Sequence, residues 1–527
     1  MRYIYYKFII LFVFTIVISI RGKAQSYNIG GLGDEYMRIL QLEGKIDPNI
    51  SFTSRPNYAT NKVSQDSLYK LIDSNYQTLG YYKSKFFTLK PLMANVTMKY
   101  NSMQPYGWND EGMIPAKGLQ TMARWGIYSK LGPLSVQYMP EYINGENAPY
   151  ETSADYGTVP TKRYEKRYFG QSSIRLNIKA VSIGWSTENL WWGPGQFSAA
   201  LMSNNAPGFP HFTFNTTRPI KTAIGSFEWQ LVTGRLYQDS AMPFEQHNLK
   251  KIIGWPSSKI YNGINISYQP IFLPGLFVGV NRSFQYSELN ENSQGGSFSN
   301  KFLPVFTTLF KADAGGVAED KIPRDQEISI FTKWLFPKTH TEFYFEYGWN
   351  DHSQNFRDFW IDPTHAAIYI LGFKHLVPLK SDKWLEINSE ITQTAQSADY
   401  ITRDAGDWYV YENGGYTNDN QILGAGSGVG NNVQVVNFNY LDGFTKLGFK
   451  LQRIQHQPIT SSAHLPIETL GLRQYRWTDI SVGFIAQKRL QNIILSANIE
   501  MVNSNNYAWT ATTHFNFYGL LNFTYLW

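Results

Sequence analysis

From about residue 86 to the end of the chain, apolar and polar positions alternate one for one. Phe515, Phe517, Gly519, Leu521, Phe523, Tyr525 and Trp527 share one face, while His514, Asn516, Tyr518, Asn522 and Thr524 share the other. Glu342, Tyr344 and Glu346 alternate with Phe343, Phe345 and Tyr347, and Arg175, Asn177 and Lys179 alternate with Ile174, Leu176 and Ile178. A period of two is the mark of strands with one apolar and one polar face. A soluble sandwich shares that mark, so the connections must decide. Short turns fall at 130–133, near 180, near 221, and at 273–275, 337–339, 380–383, 442–445 and 488–491. Long polar segments rich in Gly and Asn fall at 105–117, 143–169, 191–211, 238–262, 287–326, 350–364, 398–431, 456–476 and 503–513. These seventeen connections imply eighteen strands. Short turns on one rim and long loops on the other are the pattern of an outer-membrane barrel, with the short turns periplasmic. The expected fold is an all-β transmembrane barrel of about eighteen antiparallel strands over residues 86–527. The terminal Trp527 after Tyr525 and Phe523 resembles the last strand that barrel-assembly machinery reads.

Before residue 86 the period changes. Asp34 and Glu35 precede Tyr36, Met37, Ile39, Leu40 and Leu42 at helical spacing, with Gly44 as a stop. Ser64 is placed to cap a second helix over 65–79, with Leu68, Leu71, Ile72, Tyr76 and Leu79 on one face. Residues 25–85 therefore read as a small periplasmic helical cap. The first residues are basic, residues 8–20 are apolar, and Gly22 and Ala24 are small. This reads as a signal peptide over 1–24, cleaved after Ala24, since a spanning helix needs about 20 apolar residues.

Composition fits a barrel and removes several classes. The 527 residues include no cysteine, which excludes disulfides, thiolate metal sites and a cysteine nucleophile. Aromatic residues make up 16% and charged residues 17%, the reverse of a disordered chain. The net charge of +6 is not gathered into one tract, so nucleic acid is not an expected partner. The nine histidines show no metal-ligand spacing, and no metal or cofactor is expected. The glycine run of residues 424–430 lacks phosphate-loop spacing and reads as a flexible loop. Glu342, Glu346, Glu386, Glu390 and Glu500 lie on polar strand faces and read as the lining of a watery or plugged lumen. No catalytic constellation is found, and the chain does not read as an enzyme.

Three segments carry candidate binding chemistry. Trp191 and Trp192 precede Gly193-Pro194-Gly195, a rigid turn with two large apolar faces and two indole donors. These indoles either stack on sugar rings or fasten a loop folded into the barrel. Arg163, Lys166, Arg167 and Tyr168 form a basic–aromatic cluster suited to an acidic polymer. Its other readings are a solvated charge run and contacts to lipopolysaccharide phosphates at the rim. Trp408, Tyr409, Tyr411 and Tyr416 are interleaved with Asp and Asn, which suits carbohydrate or the core of an inward-folded plug.

The block Trp191 to Gly195 followed by Leu201-Met202-Ser203-Asn204-Asn205-Ala206-Pro207 resembles the Wzi-type capsule assembly family of outer-membrane barrels. So do the stretches 105–110, 131–135 and 170–177, and the resemblance runs from about Asp34 to Trp527. It implies an eighteen-stranded barrel with a periplasmic helical element. It also implies a lectin-like, non-catalytic role, anchoring capsular or extracellular polysaccharide at the cell surface. Polysaccharide and outer-membrane lipid are then the expected partners, with a periplasmic partner at the helical cap. The alternatives are a channel or porin, and an accessory of an envelope export machine.

Overall fold

In the computed structural model the alternation of the sequence becomes the two faces of a closed wall. The structure describes residues 25–59, 64–76, 81–84, 86–152, 161–238, 258–287, 305, 324–350, 367–395, 408–409, 415–456 and 475–527. The signal peptide expected over 1–24, and Tyr411, lie outside the described residues. Among the described residues the wall is an antiparallel barrel of 18 strands. Strands β1 (Phe87–Asn101) and β2 (Gly118–Leu131) are regular apart from one bulge between Leu92 and Asn95. Strand β3 runs in two pieces, Leu134–Tyr138 and Glu141–Gly145, and β4 runs in two, Tyr164–Tyr168 and Ser173–Ile178. Strand β5 is Val181–Ser186, and β6 is His211–Thr216 continued by Ile220–Lys221. Then come β7 (Gly225–Tyr237), β8 (Ser258–Pro270), β9 (Leu276–Ser287) and β10 (Asp325–Phe336). These are followed by β11 (Thr341–Trp349), β12 (Ala367–Pro378), β13 (Trp384–Gln393) and β14 (Asn432–Asp442). The last four are β15 (Thr445–Gln455), β16 (Thr478–Leu490), β17 (Ile493–Asn505) and β18 (Thr513–Tyr525). Pairing of Tyr518 with Asn101 through Tyr525 with Ala94 joins β18 to β1 and closes the ring. The eight short turns and nine long connections fall in the expected order, but strand residues extend into several of the long ones, most at 143–169, 238–262 and 503–513. The connection expected over 143–169 starts and ends inside strands, so Lys166, Arg167 and Tyr168 sit on β4.

The faces are inverted relative to a soluble protein. Phe343, Phe345, Ile174, Leu176, Phe515 and Phe523 point outward and are exposed. Their neighbours Glu342, Tyr344, Glu346, Arg175, Asn177 and Asn516 point inward and are buried. An apolar outer band around a polar interior is what a lipid environment selects. Closure removes every sheet edge that hydrocarbon would leave without hydrogen bonds.

The N-terminal segment closes the short-turn rim and reaches into the barrel. Helix α1 (Leu32–Leu42) has Asp34 and Glu35 in its first turn. It ends where Gly44, at φ +77, lets the Gly44 and Lys45 amides bond to Gln41 and Leu40. Its apolar side packs Tyr36, Met37, Ile39 and Leu40 against Phe277, Leu335, Leu376, Leu441, Phe444 and Ile494 near the turns. Its polar residues Asp34, Arg38 and Gln41 are buried as well, because they meet the polar lumen. Helix α2 (Gln65–Ile72) is capped by Ser64, whose side chain accepts from the Ser67 amide. It stops at Asp73, short of the expected residue 79, because Asp73 turns extended and its carboxylate takes the Asn75 amide.

Candidate functional site

The lumen is filled by the N-terminal arm, by the connection between β5 and β6, and by the connection between β13 and β14. At their meeting point lies the Trp-Trp-Gly-Pro-Gly turn. Trp191 and Trp192 pair with Arg55 and Ser54 of the arm in a two-stranded ribbon. The Arg55 guanidinium lies 4.4 Å from the centroid of the Trp191 ring. Trp192 is fully buried, donates to Gln230 at 2.6 Å, and lays its ring against Gly263. A Cβ at Gly263 would fall 2.4 Å from that ring, so the glycine makes the approach possible.

Charges hold the turn from two sides. Arg38 donates to the Pro194 carbonyl at 2.7 Å and Arg55 donates to the Gly195 carbonyl at 3.1 Å. Opposite them, Glu390 on β13 accepts the Gln196 and Phe197 amides at 2.7 and 3.1 Å. Glu346 on β11 accepts the Ala200 amide at 3.4 Å. Arg38 also pairs with Glu342, which is shared with Lys333 at 3.0 Å, and Arg55 pairs with Asp34. Backbone amides and carbonyls that water would otherwise solvate thus end on buried charges. The strand glutamates expected to line a lumen line it, and the lumen around them is occupied.

Further contacts fix this connection. Ser186, Ser26 and Arg175 donate to Glu188, with Arg175 at 2.5 Å and Ser186 at 2.8 Å. Burial alone would push the Glu188 carboxyl up, but the Arg175 charge and these donors outweigh it. They hold it below the ordinary carboxylate range. The asparagines of the motif satisfy loop backbone: Asn189 donates to the Ala206 carbonyl at 2.7 Å and Asn205 to the Ile422 carbonyl at 3.0 Å.

The second plug element contains a hairpin, Thr417–Asn418 paired with Gln421–Ile422, turned by Asp419 and Asn420 at φ 50 and 64. Both φ values are positive, as a two-residue hairpin turn of this hand requires. Asp419 bonds its amide to the Tyr237 carbonyl on β7 at 2.7 Å, while its carboxylate accepts from Tyr168 on β4 at 2.6 Å. Lys166 stands 3.5 Å from the same carboxylate. The hairpin tip thereby bridges two strands of the wall. Tyr409 donates to the Ala200 carbonyl at 2.8 Å and Tyr416 to Ser283 at 3.0 Å. With Trp408 they form one apolar cluster with Trp192, Leu201 and Met202. The glycine run over 424–430, expected to be a flexible loop, is packed tightly here. A Cβ at Gly424 or Gly426 would fall 2.4 Å from the Ala200 carbonyl or the Asn205 side chain.

The candidate binding residues therefore separate by position. Trp191, Trp192, Trp408, Tyr409 and Tyr416 have at most 2% of their surface exposed and present no face to a polymer. Sequence alternation left this choice open; the burial comes from loops returning into the lumen, which no local pattern encodes. Lys166 and Tyr168 point inward and hold the hairpin. Arg163 and Arg167 remain on the surface. Arg38, Arg55, Glu188 and Arg175, which organise the plug, carried no local signal beyond being charged positions on helix, arm and strand. Among the described residues no group of three or more His, Asp or Glu side chains is placed to hold a metal ion.

The sequence model of the capsule assembly protein Wzi family matches residues 96–501, more than half of the chain. The chain belongs to the Wzi capsule assembly family. No curated protein matches it. Among solved structures it is similar to Wzi of Escherichia coli, described as a carbohydrate-binding β-barrel involved in group 1 capsule assembly. The identity is 13%, the TM-score is 0.59, and the likeness covers 96% of this chain and all of that one. The outer-membrane channel DcaP of Acinetobacter baumannii is a more distant likeness, at 9% identity and a TM-score of 0.34, over 85% of this chain and 99% of that one. OprD of Pseudomonas aeruginosa stands at 7% and 0.39, over 82% and 92%. As a member of the Wzi family, the chain is an outer-membrane β-barrel.

Proposed function

We propose that this protein holds capsular or extracellular polysaccharide at the cell surface, binding it at the long-loop rim without chemical turnover. Membership of the Wzi family carries the reading, and the occupied lumen supports it over a channel. In this view the buried tryptophans and tyrosines act through the plug, by fixing the platform from which the rim presents its contacts. The short-turn rim, with α2 and the turn at Gly443, is the face open to a periplasmic partner. Deletion of the gene tests the proposal through cell-attached and shed polysaccharide. The expected result is a shift of polymer from the cell fraction to the medium. Unchanged cell-attached polysaccharide, with none shed, overturns it.

A further inference from the structure

The basic–aromatic cluster divides between the two faces of the wall. On the outer part of β3 and β4, Tyr142 pairs with Arg167 and Asn144 with Glu165. Alternation sends Tyr164, Lys166 and Tyr168 to the lumen, and Glu165 and Arg167 outward. The Arg167 side chain is 80% exposed, and its guanidinium lies 5.7 Å from the centroid of the Tyr142 ring. Arg163 donates to Asn144 at 3.1 Å on the same side, and exposed Lys162 is its chain neighbour. Arg167 also pairs with the exposed Glu165 at 3.1 Å.

Directly below these charges the outward positions turn apolar. Phe169, Ile174 and Leu176 follow on β4, Tyr138 and Leu134 follow on β3, and Trp125 stands on β2, all exposed. The cations thus sit where the apolar band ends on the long-loop side. That is the depth at which headgroups of the outer leaflet begin.

We propose that Arg163 and Arg167, with Tyr142 beneath, form a binding site for the phosphate of an outer-leaflet lipid headgroup. A guanidinium offers five donors in a rigid fork that matches phosphate oxygens, more than one Glu165 contact uses. The Tyr142 ring, 5.7 Å from the guanidinium, adds a cation–π attraction that favours holding the fork at this place on the wall. An acidic polysaccharide shares the charge, but these side chains face sideways over the membrane band, away from the plug. The site therefore anchors the wall in the lipid on the side where the plug hairpin is latched by Tyr168 and Lys166.

The test uses the full-length protein in nanodiscs with diphosphorylated lipid A or its dephosphorylated form, read by native mass spectrometry. The wild type is expected to retain the phosphorylated lipid preferentially. The Arg163→Gln, Arg167→Gln double variant is expected to lose about tenfold in occupancy by the phosphorylated lipid. Equal retention by wild type and variant overturns the proposal. So does loss of polysaccharide binding with lipid retention intact, which assigns the arginines to sugar. Should the variant fail to insert, raising the ionic strength on the wild type gives the second reading, because exposed phosphate contacts weaken with salt. Salt-independent lipid retention overturns the proposal.

Discussion

Arg38 on helix α1 donates to Glu342 on strand β11 at 2.6 Å, joining positions 304 residues apart in the chain. Both side chains are buried, and Lys333 completes the group on the other carboxylate oxygen. The pair shows how the plug is held: charges on the arm meet charges of opposite sign on the inner wall. Such pairs add little net stability compared with apolar replacements, but leaving one partner alone is costly.

Replacing Arg38 by methionine is therefore expected to destabilise the folded protein by about 3–5 kcal/mol, since Glu342 keeps its burial and loses a donor. Denaturant unfolding of the detergent-solubilised protein measures this. A double-mutant cycle with Glu342→Gln should return a coupling of about 0.5–3 kcal/mol.

Removing residues 25–59 takes away the arm and opens the part of the lumen it fills, while the β5–β6 and β13–β14 connections stay packed on each other. Planar-bilayer recordings are expected to show small openings for that variant and silence for the intact protein. Large openings of the intact protein would favour the channel reading.

Gly193 has φ +110, and a Cβ there would lie 2.5 Å from a Glu346 carboxylate oxygen. Gly193→Ala is expected to cost roughly 1–3 kcal/mol through backbone strain alone. Thermal unfolding checks it, and Pro194→Ala, which leaves Gly193 in place, should cost less.

The Glu188 carboxyl is held below its ordinary value of 4.5: burial, the largest single influence, pushes it up, and the Arg175 charge together with the hydrogen bonds from Arg175, Ser26 and Ser186 outweighs it. A depressed carboxyl contributes stability above pH 4.5, and that contribution is lost as pH falls through the lower folded value. Wild type should exceed Glu188→Gln in melting temperature at neutral pH, and the gap should narrow in acid as Glu188 protonates. A gap that stays constant with pH would show that the ion pair is not its source.

Trp192 fills the plug core and bonds to Gln230. Trp192→Ala is expected to lose about 3–5 kcal/mol, as for other large-to-small core changes. Trp192→Phe should keep polysaccharide retention per folded molecule. Loss of retention by the Phe variant without loss of stability would show that the Trp192 indole contacts sugar directly.

The wall was readable from the chain because a strand's period of two is local. Glu342, Phe343 and Tyr344 declare their faces without reference to any distant residue, and seventeen connections of two lengths fix the strand number and the rims. Helix α1 and its glycine stop were readable for the same reason. The end of α2 was not, since Asp73 forms a local turn that competes with a favourable apolar pattern.

The site was legible only in part. Its composition marked Trp191, Trp192, Arg163, Lys166, Arg167, Tyr168, Trp408, Tyr409, Tyr411 and Tyr416, yet a loop that returns into a lumen and one that stands in solvent use the same residues. Lys166 and Arg167 are chain neighbours, and the wall sends one to Asp419 and the other to the surface. Arg38 and Glu342 look like solvated charges until closure of the barrel brings them within 2.6 Å. The sequence alone determined the strands, their faces and the rim that bears the loops, because those depend on neighbours two positions away. Tertiary structure decided which charges and aromatics are inside, because burial in a barrel follows from ring closure and from long-range pairing that no local period records.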